Sequence, residues 1–399
     1  MGQYYNSQKS RGFSRGGGRG RGGRSNYGRF SGNTIHESFF IKKADEIIEE
    51  EAYVSEMKFE TLDINAVLKQ NILKKGYTNP TPIQDKAIIP ALQGKDVVGV
   101  AKTGSGKTAA FLIPIINKIL ANPSEKALII VPTRELAVQI SVELKSLAQG
   151  TSINSVVCIG GTGLGPQIKS LRYPHNFIIA TPGRIKDLIE RRAASMQNVK
   201  YVVLDEVDRM FDMGFGKDVA FLVDKVPTPR QNFFFSATLS SNIEQLFAKY
   251  LVNPIKIDIK TTDGINTIEQ DIVRIPKAVK KIDILHDLLI KEGFNKVLVF
   301  GRTKHGVKDT HQELVNRGFK ADSIHGNKTQ AQRQKSLNAF KENKVNILVA
   351  TDVAARGIDV MDITHVINFD IPATKEDYTH RIGRTGRANK KGTALTFVE

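Results

Sequence analysis

Short apolar runs punctuate the chain and stop abruptly at small or charged residues. From residue 96 to 238 they read DVVGVA, ALIIVP, SVVCIG, FIIATP, YVVLDE and NFFFSAT, with amphipathic segments between them. After KTTDGINT, residues 260–267, the rhythm restarts with KVLVFGRT, ADSIHG, NILVATD, HVINFD and TALTFV. Continuous apolar strands alternating with helical patterns predict parallel sheets covered on both faces. The reading is therefore α/β, with two doubly wound parallel-sheet domains over 59–259 and 268–399 and a linker at 260–267. Upstream, Ile41, Ala44, Ile47 and Ile48 recur at helical spacing, so the 34–58 flank is read as a short amphipathic helix. Residues 1–33 are low-complexity Gly/Arg with Phe13, Tyr27 and Phe30 interspersed, too polar to offset chain entropy, and are expected to be disordered.

Composition adjusts this picture in two places. The chain has 399 residues and a net charge of +17, of which +7 lies in residues 1–33, where no acid occurs. Residues 34–60 reverse the sign, with eight acids against Lys42, Lys43 and Lys58. A basic excess of this size calls for a polyanionic partner, and the Arg/Gly/aromatic tail suits RNA, by phosphate pairing and base stacking. Cys158 is the single cysteine, which excludes internal disulfides and thiolate zinc sites and fits a reducing, cytoplasmic setting. There is no apolar run of the ~18 residues a membrane span needs, and no apolar core of a secretory signal.

The candidate chemistry begins at AKTGSGKT, residues 101–108. Thr103, Gly104, Ser105 and Gly106 form a loop whose backbone N–H groups can cradle phosphate, Lys107 can reach the β/γ-phosphates, and the Thr108 hydroxyl can ligate Mg²⁺. The strict motif has Gly where Ala101 stands; the strand–loop–helix setting restores the reading. YVVLDEVD, residues 201–208, then raises a question of charge, because a buried strand ends in Asp205 and Glu206 and unpaired buried carboxylates are costly. A strand of the same sheet can bring them beside Thr108, with Mg²⁺–nucleotide as the positive partner. Asp205 would then hold the metal, and Glu206 would orient and deprotonate the attacking water.

With these two elements in place, the whole of residues 59–399 resembles the DEAD-box ATP-dependent RNA helicases. Further motifs in order carry the resemblance: GYTNPTPIQ (76–84), PTRELA (132–137), Gly160–Gly161, TPGR (181–184), SAT (236–238), VFGRTK (299–304), Gln330 with Arg333, ATDVAARGID (350–359) and HRIGRTGR (380–387). It implies two RecA-like domains. It implies that Gln84 bonds the adenine edge while Phe59, seventeen residues before Gly76, stacks on the ring. Thr133, Arg134, Gly161, Thr181, Arg184, Arg333 and Thr351 would meet RNA, and Asp359 the ATP ribose. Asp208, Ser236, Thr238 and His380 would couple the state of ATP to that of RNA, with His380 facing Asp208. Arg384 and Arg387 would stabilise charge on the γ-phosphate in the transition state.

Two departures accompany the resemblance. Val207 stands where the family usually has Ala in its Asp-Glu-Ala-Asp signature, which predicts a packing adjustment and no change of reaction. TALTFVE closes the chain where the family's second domain usually continues into a helix. The resemblance implies a monomer acting on RNA through its backbone with little sequence specificity, nearest to the bacterial RhlE-like branch. An ATP-gated RNA clamp with little unwinding is served by the same motifs. A DNA translocase and an annealing protein acting through its tail are further alternatives.

Overall fold

A computed structural model describes residues 35–45, 53–55, 57–102, 104–259, 267–355, 360, 362–386 and 390–399. The expected tail, linker, and site residues Thr103, Asp359 and Arg387 lie outside the described residues, apart from Thr267 at the linker's end.

Strands β1 (Val97–Val100), β2 (Lys126–Ile130), β3 (Ser155–Cys158), β4 (Phe177–Ala180), β5 (Val199–Leu204), β6 (Gln231–Ser236) and β7 (Ile255–Asp258) form one sheet in the order β3-β4-β2-β5-β6-β1-β7. Strands β8 (Ile268–Arg274), β9 (Val297–Phe300), β10 (Ala321–Ile324), β11 (Ile347–Ala350), β12 (His365–Asn368) and β13 (Gly392–Val398) form a second, in the order β10-β11-β9-β12-β13-β8. Every pairing within the two sheets is parallel. Each apolar run of the sequence supplies one strand. The two strands it does not signal, β7 and β8, are edge strands on either side of the linker. In β7 only Ile257 is buried, and β8 alternates buried and exposed over Ile268–Asp271, so neither shows a continuous apolar run.

Strand period places the cores. Phe233 and Phe235 of β6 enter the cluster around Phe111, Ile115 and Ile129, while Phe234 enters the opposite one with Val98, Leu128 and Ile178. The Lys107–Ala121 helix is apolar over most of its circumference and is buried accordingly, held between sheet and outer helices. No helix among the described residues is long and apolar enough to cross a membrane.

The register then fixes where chemistry can occur. Val100 pairs with Ser236, Leu204 with Phe234 and Ile130 with Leu204, so β2 and β5 end together, and β1 and β6 end together two residues further on. The loops that follow all emerge on one side, at the carboxyl edge where open parallel sheets bind ligands. Over residues 37–45 the expected helix gives way to a 3₁₀ turn at Glu37–Phe40 and a single antiparallel bridge from Lys42 to Gln270 of β8. Backbone pairing with an open sheet edge supplies bonds that an isolated short helix would have to find on its own.

Candidate active site

The loop after β1 turns through Gly104 and Gly106, both in the left-handed region at φ +85° and +95°. Gly106 also caps the Lys107–Ala121 helix, and a Cβ there would lie 2.5 Å from Gln84 Nε2, so only glycine fits. Gln84, expected at an adenine edge, closes this contact from the other side. Its Oε1 accepts from the Thr81 N–H at 2.9 Å and its Nε2 donates to the Gly106 carbonyl at 3.1 Å. One amide N–H and one lone pair remain by valence for a further partner. Phe59, expected to stack on the adenine ring, is fully buried, its ring tilted against Tyr77 at 6.0 Å.

Lys107 is 6% exposed, donates to the Ala101 carbonyl at 2.8 Å and lies 3.8 Å from Asp205 Oδ1. The buried Ser105 hydroxyl has no hydrogen-bond partner within the protein. A buried cation, an unsatisfied hydroxyl and a glycine cradle at a helix N-terminus together fit a phosphate chain. Thr108 follows on the first turn, half-buried.

Asp205 and Glu206 stand opposite, 2% and 4% exposed. Burial pushes the Asp205 carboxyl up to about 6; Lys107 opposes that rise and Glu206 adds to it. Asp205 also accepts the Glu206 N–H at 2.9 Å. Glu206 has φ 54° and ψ 52°, a left-handed conformation that a non-glycine residue adopts at some energetic expense. The strain turns its side chain out of the strand's alternation, toward Arg209 Nη1 at 3.3 Å, outside hydrogen-bond geometry. Among the described residues no three His, Cys, Asp or Glu side chains form a closed metal cage. Mg²⁺ needs none, because it keeps most of its waters and binds through one or two carboxylates plus substrate phosphates. Asp205 and Thr108 are a donor set of that kind.

Asp208 faces the loop after β6. Its Oδ2 accepts from the N–H groups of Ala237 and Thr238, both at 3.1 Å, and from the Thr238 hydroxyl at 3.3 Å. Its own N–H donates to the Ser236 hydroxyl at 3.2 Å, which in turn donates to the Thr238 carbonyl at 2.7 Å. Val207 is fully buried between these acids, in the cluster with Val98 and Phe234.

Five residues expected on RNA gather past β2, β3 and β4. Thr133 caps the Arg134–Leu147 helix and Thr181 the Pro182–Glu190 helix. Arg134 packs over Gly161, where a Cβ would fall 2.0 Å from its Nη1, and Arg184 donates to the Thr162 carbonyl at 3.2 Å. In the second domain Thr351 follows β11, half-buried. Arg333, also expected on RNA, reaches the first domain in this structure. Its Nη2 lies 3.0 Å from Glu135 Oε1, to which Gln330 Nε2 also donates at 3.2 Å. His380 and Arg384 share a small cleft with Phe300, Asp352, Asp377 and Arg381.

Three residues the sequence left without a role organise this geometry. Glu135 lies inside PTRELA and carries the contact between domains. Arg209 follows the acids and pairs with Glu206. Arg381, one of three arginines in HRIGRTGR, is 2% exposed. It forks onto Asp352 at 2.5 and 2.8 Å, and its Nη1 donates to Asn368 Oδ1 and to the Asp370 carbonyl. Sequence gives no reason to single it out from Arg384, and burial does not separate them either, since Arg384 is 4% exposed; the fork onto Asp352 is what marks Arg381 as the anchor.

Comparison with known proteins agrees with this geometry. Residues 81–246 match the DEAD/DEAH box helicase model and residues 280–389 the helicase conserved C-terminal domain. The ATP-dependent RNA helicase CshA of Listeria monocytogenes is 43% identical over 344 residues, covering 86% of this chain and 66% of the relative. The DEAD-box ATP-dependent RNA helicase CshA of Bacillus subtilis is 42% identical over 342 residues, 85% of this chain and 69% of the relative. The chain thus spans about two thirds of the length of these relatives. Among solved structures, Saccharomyces cerevisiae Dbp5 bound to RNA and ADP BeF3 superposes with a TM-score of 0.75 at 28% identity, over 86% of this chain and 89% of that one. The phosphate cradle, the paired acids beyond it and the two parallel sheets that carry them make this chain a member of the DEAD-box ATP-dependent RNA helicase family.

Proposed function

We propose that this chain couples ATP binding and hydrolysis to local opening of short RNA duplexes, or to remodelling of RNA–protein complexes, through a cycle of domain closure. One observation carries the reading. A buried lysine at the end of a phosphate cradle lies 3.8 Å from a buried strand-end carboxylate, and the next residue, Glu206, is held in a strained backbone at the same sheet edge. In this reading Lys107 and the 103–106 backbone hold the phosphates and Gln84 the adenine edge. Asp205 and Thr108 hold Mg²⁺, which when bound neutralises charge on the β- and γ-phosphate oxygens. Glu206 orients the attacking water and takes its proton. Arg384 and Arg387 approach the γ-phosphate from the second domain, and Asp359 the ribose.

The Asp208–Ser236–Thr238 bonds carry the state of this site to the loop after β6. Thr133, Arg134, Gly161, Thr181, Arg184, Arg333 and Thr351 then take the RNA backbone; Dbp5 is itself bound to RNA in a solved structure that resembles this chain. Backbone contact gives little sequence preference and strong salt dependence. Residues 1–33 add a non-specific RNA contact. A monomer in the cytoplasm completes the reading. The two relatives described above are named CshA and do not confirm the finer placement in the RhlE-like branch.

The experiment is duplex displacement measured together with ATP consumed. Release of a short RNA strand within a few hydrolysis cycles supports remodelling. ATP-dependent retention of RNA with no displacement would favour the clamp.

A further inference from the structure

The 37–42 segment lies outside both matched helicase regions and outside every motif used above, yet it is built into the second domain. Phe40 is 1% exposed and meets the Tyr378 ring edge-on at 4.9 Å, while Phe39 packs on the same ring at 5.5 Å. Lys375 Nζ sits 4.9 Å from the centre of the Phe39 ring. Two residues on, the Lys42 N–H donates to the Gln270 carbonyl at 2.9 Å and the Gln270 N–H to the Lys42 carbonyl at 2.8 Å. Gln270 and Tyr378 are themselves joined, the phenol donating to Oε1 at 3.0 Å, with both side chains buried.

These contacts converge on the arginine element. Tyr378 belongs to the Lys375–Ile382 helix, which carries His380 and ends two residues before Arg384. The residue preceding β8, Thr267, donates its hydroxyl to the Gly386 carbonyl at 3.2 Å. Strand β8 and its lead-in therefore hold the 380–386 stretch from both ends, while the 37–42 segment caps the otherwise open edge of β8 and fills the space beside Tyr378. Exposed edges and half-packed rings are the places where a helix gains freedom to shift. A group acting on a transferring phosphoryl loses effect steeply when misplaced by about 1 Å.

We infer that Phe40 is a positioning residue for ATP hydrolysis: the 37–42 segment docks on β8 and Tyr378 to hold the helix that presents Arg384. This rests on the role proposed above for Arg384. The segment acts on chemistry and leaves the cradle around Lys107 untouched, so the effect falls on kcat and spares the KM for ATP.

The test uses the full chain with Phe40→Ala, Phe40→Leu and Tyr378→Phe. The measurements are RNA-stimulated ATPase rates, the thermal midpoint, and amide exchange at Gln270. Phe40→Ala should speed exchange at Gln270 and lower kcat about 10-fold, a part of the ~10³–10⁵ that arginine fingers supply, with KM for ATP within about twofold. Phe40→Leu should restore most of kcat, and Tyr378→Phe should fall between. An unchanged kcat in a Phe40→Ala protein whose Gln270 amide has opened overturns the inference. So does a parallel fall of kcat, thermal midpoint and ATP affinity, which marks plain destabilisation. A wild-type chain without RNA-stimulated hydrolysis overturns the functional reading itself, whereas a stimulated wild type with an indifferent Phe40→Ala overturns the positioning role alone.

Discussion

Asp205 shows how one residue's surroundings set its chemistry. Burial raises its carboxyl to about 6 even though Lys107 lies 3.8 Å away. The sign follows from linkage: the folded chain holds the Asp205 proton up to about pH 6, while an unfolded aspartate releases it near ~3.9. Between those values the folded state binds more protons, so this group's contribution to stability falls as pH rises and levels off above about 6. Asp205→Asn abolishes that titration. Its stability relative to wild type should rise by on the order of 1 kcal/mol between pH 5 and 7.5, as read by urea unfolding. An offset that stays constant across the range would show that Asp205 titrates normally in the fold. Lys107 and Asp205 were legible in the sequence, because a glycine loop after one strand and acids after another must meet at the carboxyl edge of a parallel sheet. The left-handed backbone of Glu206 was not, since nothing in YVVLDEVD announces a positive φ there.

At the scale of elements, the sequence read best where strands are covered on both faces and worst where they are not. FIIATP and NFFFSAT declare themselves. Strands β7 and β8, each at a sheet edge, carry Lys256, Asp258, Glu269 and Asp271 among their apolar residues and do not. Within the 34–58 flank, whose residues 34, 46–52 and 56 lie outside the described ones, residues 37–45 are not α-helical for a related reason. Ile41 and Ala44 have helical spacing, but Phe39 and Phe40 find a partner in Tyr378 near the far end of the chain, and tertiary packing overrides local period. Arg381 anchors the helix that bears Tyr378 by its fork onto Asp352, with both partners drawn from segments the sequence marked for other work. Removing one member of a buried pair typically costs about 3–5 kcal/mol. Arg381→Ala should therefore lower the thermal midpoint of the second domain sharply, and Arg381→Lys, which keeps the charge but loses the fork, should lower it less. A midpoint left unchanged in Arg381→Ala would contradict the anchoring role.

Across the whole molecule, Glu135 receives both Gln330 and Arg333 from the second domain. Burial draws the Arg333 guanidinium below its ordinary range, Glu135 opposes that, and the Arg333 Nε is buried without a partner. Such a contact forms only where the two domains meet, so in the proposed cycle of domain closure it would serve coupling and not either binding site alone. By reciprocity, the factor by which ATP tightens RNA equals the factor by which RNA tightens ATP. Glu135→Gln should reduce both factors together, from a typical ~5–150-fold toward unity, with RNA affinity in the absence of nucleotide preserved; RNA titrations with and without AMP-PNP measure this. Loss of nucleotide-free RNA affinity would place Glu135 in RNA binding instead. The account as a whole stands on RNA-dependent hydrolysis at Glu206. The most direct measurement is steady-state ATP turnover with no nucleic acid, with single-stranded RNA and with DNA of the same sequence, for the wild type and Glu206→Gln. The account predicts strong stimulation by RNA alone, abolished in the variant. Equal stimulation by DNA, or turnover that survives Glu206→Gln, would contradict it.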